Sequence, residues 1–137
     1  MKLFMKNYAR YSLIFLFILV FSLRLYIAFQ TPYFSDDESY FNLRQIEEIS
    51  STGTPLFNDP LSYGGRNFMF PPLFHYILAL FNLFLPVAFV GKFFPNLFAS
   101  SLIIIVYFLT KEITKDRISA LYTAAISGFI PIFFQNT

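Results

Sequence analysis

Apolar positions in this chain come in long unbroken runs, not in the alternation of a half-buried sheet. The first run, "YSLIFLFILVFSLRLYIAFQ", covers residues 11–30. Twenty helical residues reach about 30 Å, the thickness of a bilayer's hydrocarbon core. The run therefore predicts a transmembrane helix over 11–30. Lys2, Lys6 and Arg10 precede it with no acid among them, which puts the N-terminus in the cytoplasm and residue 31 outside. A cleaved signal peptide would start in the same way, but "YIAFQTP" lacks the small-x-small cleavage pattern. Two more runs, "FFPNLFASSLIIIVYFLT" and "ISALYTAAISGFIPIFFQNT", predict spans at about 93–110 and 118–135.

The run at 71–90 has two readings. It could cross the membrane, which leaves "KEITKDR" (Lys111 to Arg117) outside. It could instead form an interfacial helix over about 72–85, framed by Pro71-Pro72 and Pro86, which leaves "KEITKDR" inside. The positive-inside rule favours the interfacial helix and three spans in all. His75 and Asn82 stand seven apart and share one face of that helix.

Between residues 31 and 70 the pattern turns polar. Ser35 with Glu38 makes a capping box, and a helix over about 36–49 follows. Tyr40, Leu43, Ile46 and Ile49 form a ridge suited to the membrane surface; Asp37, Phe41, Arg44 and Glu48 form the opposite stripe. The Gly-, Pro-, Asn- and Asp-rich stretch to residue 72 reads as turns, Asp59 included. The expectation is an all-α multi-pass membrane protein whose external loop carries interfacial helices at about 36–49 and 72–85.

Composition supports lipid as the solvent: 56% of the 137 residues are apolar and only 13% charged, with 21 Phe. The net charge of +2 gives no reason to expect nucleic acid. With no cysteine, disulfides and thiolate metal sites are excluded. Arg24 lies near the outer end of the first span, where it either snorkels to the interface or lines a polar site.

Asp36, Asp37 and Glu38 concentrate charge where the first span emerges. One reading is structural: carboxylates in the first turn complement the helix dipole. The other is chemical: carboxylates at a membrane face can act as a general base or hold a hard divalent cation such as Mg or Mn. Glu47 and Glu48 read as a solvated helix face, and His75 as a polar residue of the interfacial helix.

"DESYFNLRQIEEISSTGTPL", "FPPLFHYILALFNLF" and "GKFFPNLFASSLIIIVYFLTKEI" follow one another after a basic N-terminus and one span. That order resembles the N-terminal part of GT-C membrane glycosyltransferases, which use polyprenyl-phosphate sugars as donors. In their protein O-mannosyltransferase-like branch, the resemblance implies that Asp37 is the general base, with Glu38 and Asp36 beside it. "ESYFNLR" is similar in spacing to the oligosaccharyltransferase-like branch, where the loop acid binds a divalent metal and the acceptor amide; Ser39 stands where that branch has proline. Both branches imply inverting attack on an anomeric carbon with a lipid phosphate leaving. Arg66, Lys92 and Arg44 are then the candidate phosphate or substrate ligands, since Phe70 stands where aminoarabinose-transferring members have lysine. The implied partners are the bilayer, the lipid-linked sugar and a protein, lipid or glycan acceptor. Such enzymes carry further spans, so residues 1–137 would be the N-terminal part of a larger transmembrane domain. The alternative is a small non-catalytic membrane protein, such as an assembly partner, whose acids only cap a helix.

Overall fold

The computed structural model describes residues 2–34, 37–59, 65–67 and 71–130. Among the described residues, five helices form: α1 (Lys2–Ala28), α2 (Asp37–Thr52), α3 (Leu73–Asn82), α4 (Val87–Thr114) and α5 (Arg117–Gly128). The extended pairing among the described residues is one antiparallel ladder, β1 (Asn58–Asp59) on β2 (Arg66–Asn67). The fold is all-α in substance. Two helices, Tyr8–Ala28 within α1 and all of α4, are long and apolar enough to cross a membrane.

The helix ends follow from local chemistry. α1 stops at Ala28, just ahead of Thr31-Pro32, where a proline can neither continue a helix nor donate an N–H. Gly53 takes φ +78° after α2, and its N–H donates to the Ile49 carbonyl at 2.9 Å, a glycine C-cap. Pro86 separates α3 from α4, and its carbonyl accepts the Val90 N–H at 3.0 Å. The apolar stretch 71–90 is therefore no single helix. α3 covers 10 residues, about 15 Å, too short to cross the hydrocarbon core. α4 runs from Val87 through Pro95 to Thr114, so it starts earlier and ends later than the expected 93–110.

The turn after α4 takes two residues. Lys115 adopts φ 55° and its N–H donates to the Lys111 carbonyl at 2.9 Å. Asp116 then caps α5, accepting from Ile118 N at 3.3 Å and Ser119 N at 2.8 Å. Ser119 Oγ donates to the same carboxylate, and these hydrogen bonds hold Asp116 below the usual carboxylate range. α5 ends at Gly128 after 12 residues, about 18 Å, so the described helix is shorter than the expected span at 118–135. Residues 131–135 of that span lie outside the described residues.

The chain packs as two units: Met1–Pro32 with Pro95–Thr137, and Tyr33–Phe94. In the first, Leu13, Val20, Ile103, Tyr107, Ala120 and Ala124 form the core. α1 and the second part of α4 run antiparallel, since Arg24 meets Asn96 while Val20 and Ile103 both lie against Gly128. Ala120, Ala124 and Gly128 recur every fourth residue along α5, and all three are buried. Such small-xxx-small spacing lets helices approach closely. In the second unit, α2 packs on α3 through buried Ile46, Ile49, Leu78 and Ala79. The predicted ridge on α2 thus turns partly to α3: Ile46 and Ile49 are buried while Tyr40 stays exposed.

A Cβ at Gly128 would lie 2.8 Å from Ile103 Cδ1 and 3.1 Å from Val20 Cγ2. Gly128→Val is expected to destabilise the first unit by about 1–3 kcal/mol through overpacking. Thermal unfolding in detergent checks it; an unchanged midpoint would show that this contact is loose.

Candidate functional site

Asp37 and Glu38 occupy the first turn of α2, and both side chains are exposed. Asp36 and the predicted cap Ser35 lie outside the described residues. Arg66 is placed through its backbone in β2, opposite Asp59. Arg44 is half-buried, with its guanidinium carbon 6.0 Å from the Phe41 ring centroid. Lys92 is buried near the start of α4, its ammonium 5.2 Å from the centroid of Phe34. Among the described residues, Arg44 and Lys92 each lie beside an aromatic ring, and the Arg66 side chain is outside the described structure.

A tight approach sets the position of Lys92. A Cβ on the preceding Gly91 would lie 2.6 Å from Leu43 Cδ2 and 3.4 Å from Phe34 Cζ. Absence of a side chain there lets α4 lie against α2 and the Phe34 ring. Phe81 stacks on Phe94 at 4.1 Å between centroids, joining α3 to the same part of α4.

Behind the acids, polar side chains tie α2 to its neighbours. Gln45 is fully buried and makes a two-point clamp on Leu56: its Nε2 donates to the carbonyl at 2.8 Å, and its Oε1 accepts the N–H at 2.9 Å. His75 Nε2 lies 2.9 Å from Asn42 Oδ1, and Asn82 Nδ2 donates to Ser50 Oγ at 3.0 Å. His75 and Asn82 do share one face of α3, and that face meets α2. Tyr76 Oη donates to the Gly53 carbonyl at 3.1 Å. These bonds hold the acid-bearing helix at both ends of its contact with α3.

Arg24 is a buried charged residue of the first unit. It is 5% exposed, and its Nε donates to Asn96 Oδ1 at 3.1 Å. It is buried between helices and does not snorkel outward. A hydrogen bond to a charged donor is worth about 1.5–3 kcal/mol, and an unmatched one in a buried site is costly. Asn96 was not singled out from the sequence. Its signal is an Asn and a Ser four apart, Asn96 and Ser100, on one face of an otherwise apolar helix.

Among the described residues, no three His, Cys, Asp or Glu side chains group closely enough to hold a metal ion.

Comparison with protein-family models, with curated proteins and with solved structures finds no match for this chain.

Burial pushes the His75 pKa below its ordinary value of about 6.5. The folded form holds the neutral ring while the unfolded chain takes up the proton first. His75 therefore contributes stability that is complete above about pH 6.5 and declines as pH falls from there to its folded pKa. It is the chain's one histidine. The unfolding midpoint should drop more between about pH 7.5 and 5 for wild type than for His75→Gln, where ~6.5 is the midpoint of ordinary histidine titration. Equal drops would remove His75 as the titrating group.

Proposed function

We propose that this chain is a membrane-spanning segment of a GT-C-type glycosyltransferase whose external loop supplies acids to the transfer site. The observation that carries the reading is the placement of Asp37 and Glu38. Both are exposed in the first turn of α2, on the stretch of chain between two helices of spanning length. In this role Asp37 takes the proton from an acceptor hydroxyl as its oxygen attacks the anomeric carbon. The bond from that carbon to the lipid phosphate breaks, and the phosphate leaves with the electron pair. The substrates are a polyprenyl-phosphate sugar and an external acceptor. No step is routed through a metal.

Membrane insertion is supported by what α1 and α4 expose. Tyr8, Phe15, Ile18, Tyr26, Ile105 and Leu109 all stand outward, and water would meet them at high cost. Tyr8 and Tyr26 lie about 27 Å apart along α1 at 1.5 Å per residue. That is the spacing of interfacial aromatic belts on either side of a hydrocarbon core.

Topology follows from the basic residues. Antiparallel packing of α1 and α4 brings Lys2, Lys6 and Arg10 to the same end of the first unit as Lys111, Lys115 and Arg117. This favours both groups in the cytoplasm and the acids outside. A crossing by 71–90 would require α1 and α4 to run parallel. α5 begins at the basic end beside α1, which supports a third crossing over about 118–135. In the second unit, α3 turns Leu73, Phe74, Ile77 and Leu80 outward while α2 exposes Asp37, Glu38 and Glu47. That division suits an element lying at the membrane surface.

One observation favours a second reading. Acids in a helix's first turn complement its dipole, so Asp37 and Glu38 could be purely structural in a small membrane protein.

Asp37→Asn in the full-length protein decides between them. Transfer from lipid-linked sugar in membrane vesicles should be lost, whereas the structural reading expects normal transfer and at most about 1 kcal/mol of lost stability. Topology has its own test, since the chain has no native cysteine. A cysteine at Thr114 should resist an impermeant reagent applied outside; labelling there would invert the arrangement.

A further inference from the structure

An open groove of about 660 Å³ runs between α1 and α5, and the transfer reading does not use it. Phe15, Leu16, Ile118, Leu121 and Ala125 make its walls. Tyr8, Tyr11, Tyr122 and Ser12 line it too, and the three tyrosines are exposed. An apolar trough with hydroxyls belongs at the level where acyl chains meet headgroups. The end of the first unit that carries it also carries Arg10, Lys111, Lys115 and Arg117. Lys115 is paired with Glu112, and Asp116 is satisfied by its capping bonds. Arg10, Lys111 and Arg117 remain without an acidic partner among the described residues. Arg117 directly precedes the groove residue Ile118, and Arg10 directly precedes Tyr11.

We propose that this groove binds an anionic phospholipid of the leaflet that faces the basic end. One acyl chain lies along Phe15, Leu16, Leu121 and Ala125. The tyrosine hydroxyls meet the glycerol region, and Arg10 and Arg117 draw the phosphate. Charge complementarity selects this occupant. A zwitterionic lipid offers the same phosphate but also brings a cationic headgroup beside the arginines and no net negative charge, and an apolar helix offers no anion at all. The proposal rests on membrane insertion but not on glycosyl transfer.

Resistance to alkaline carbonate extraction reads membrane insertion separately. The binding test is native mass spectrometry of the detergent-solubilised protein with phosphatidylglycerol and phosphatidylcholine at equal concentration. Wild type should retain phosphatidylglycerol preferentially. Arg10→Gln and Arg117→Gln should each reduce that preference about fivefold while keeping the trough's affinity for either lipid. Ala125→Trp, which fills the trough, should lose both lipids. A photoreactive group at Tyr122 should crosslink to lipid in membranes. Equal retention of the two lipids by wild type, unchanged preference in both arginine variants, or crosslinking to protein would each overturn the proposal. The arginine variants alter exposed or half-exposed side chains, so their result stands even if Ala125→Trp fails to fold.

Discussion

The first unit depends on close approach between apolar helices. Ala120, Ala124 and Gly128 supply it. With so little side chain on that stripe, Ile103 and Val20 come to van der Waals distance of the α5 backbone. The rest of the unit follows from this contact. α1 and α4 can run antiparallel beside α5 only if the corner between α4 and α5 is tight. The left-handed Lys115 and the capping Asp116 make it so in two residues.

Once the helices are that close, a polar group between them needs a partner. Arg24 has Asn96. The same rule governs the second unit, where Gln45, Asn42 and Ser50 of α2 each meet a matching group. The outcome is a helix whose inner side is committed to hydrogen bonds and whose first turn is left to present two carboxylates outward. Catalytic geometry requires this sort of rigid support behind the reacting groups. It makes Asp37 and Glu38 suited to act on something outside the fold, and a lipid-linked sugar is the substrate proposed for them.

The cations take their places from aromatic and helical neighbours. Arg44 leans on Phe41, and Lys92 is buried against Phe34. Arg24 is drawn into the interior as well, against Asn96. Charges within or beside apolar helices are assigned by whichever neighbouring helix offers an acceptor, and one-dimensional spacing does not contain that information.

The sequence by itself determined the apolar runs, the helix-breaking prolines, the glycine after α2 and the acidic first turn. These are local effects, set by side-chain stereochemistry and missing donors within a few residues. It also determined that His75 and Asn82 share a face, because helical periodicity is local too. Tertiary structure alone decided that this face meets α2, that Gln45 clamps Leu56 and that Arg24 is buried on Asn96. It decided as well that the basic ends of α1 and α4 coincide. Each of these joins residues that only the folded chain brings together, and local side-chain stereochemistry does not contain such pairings.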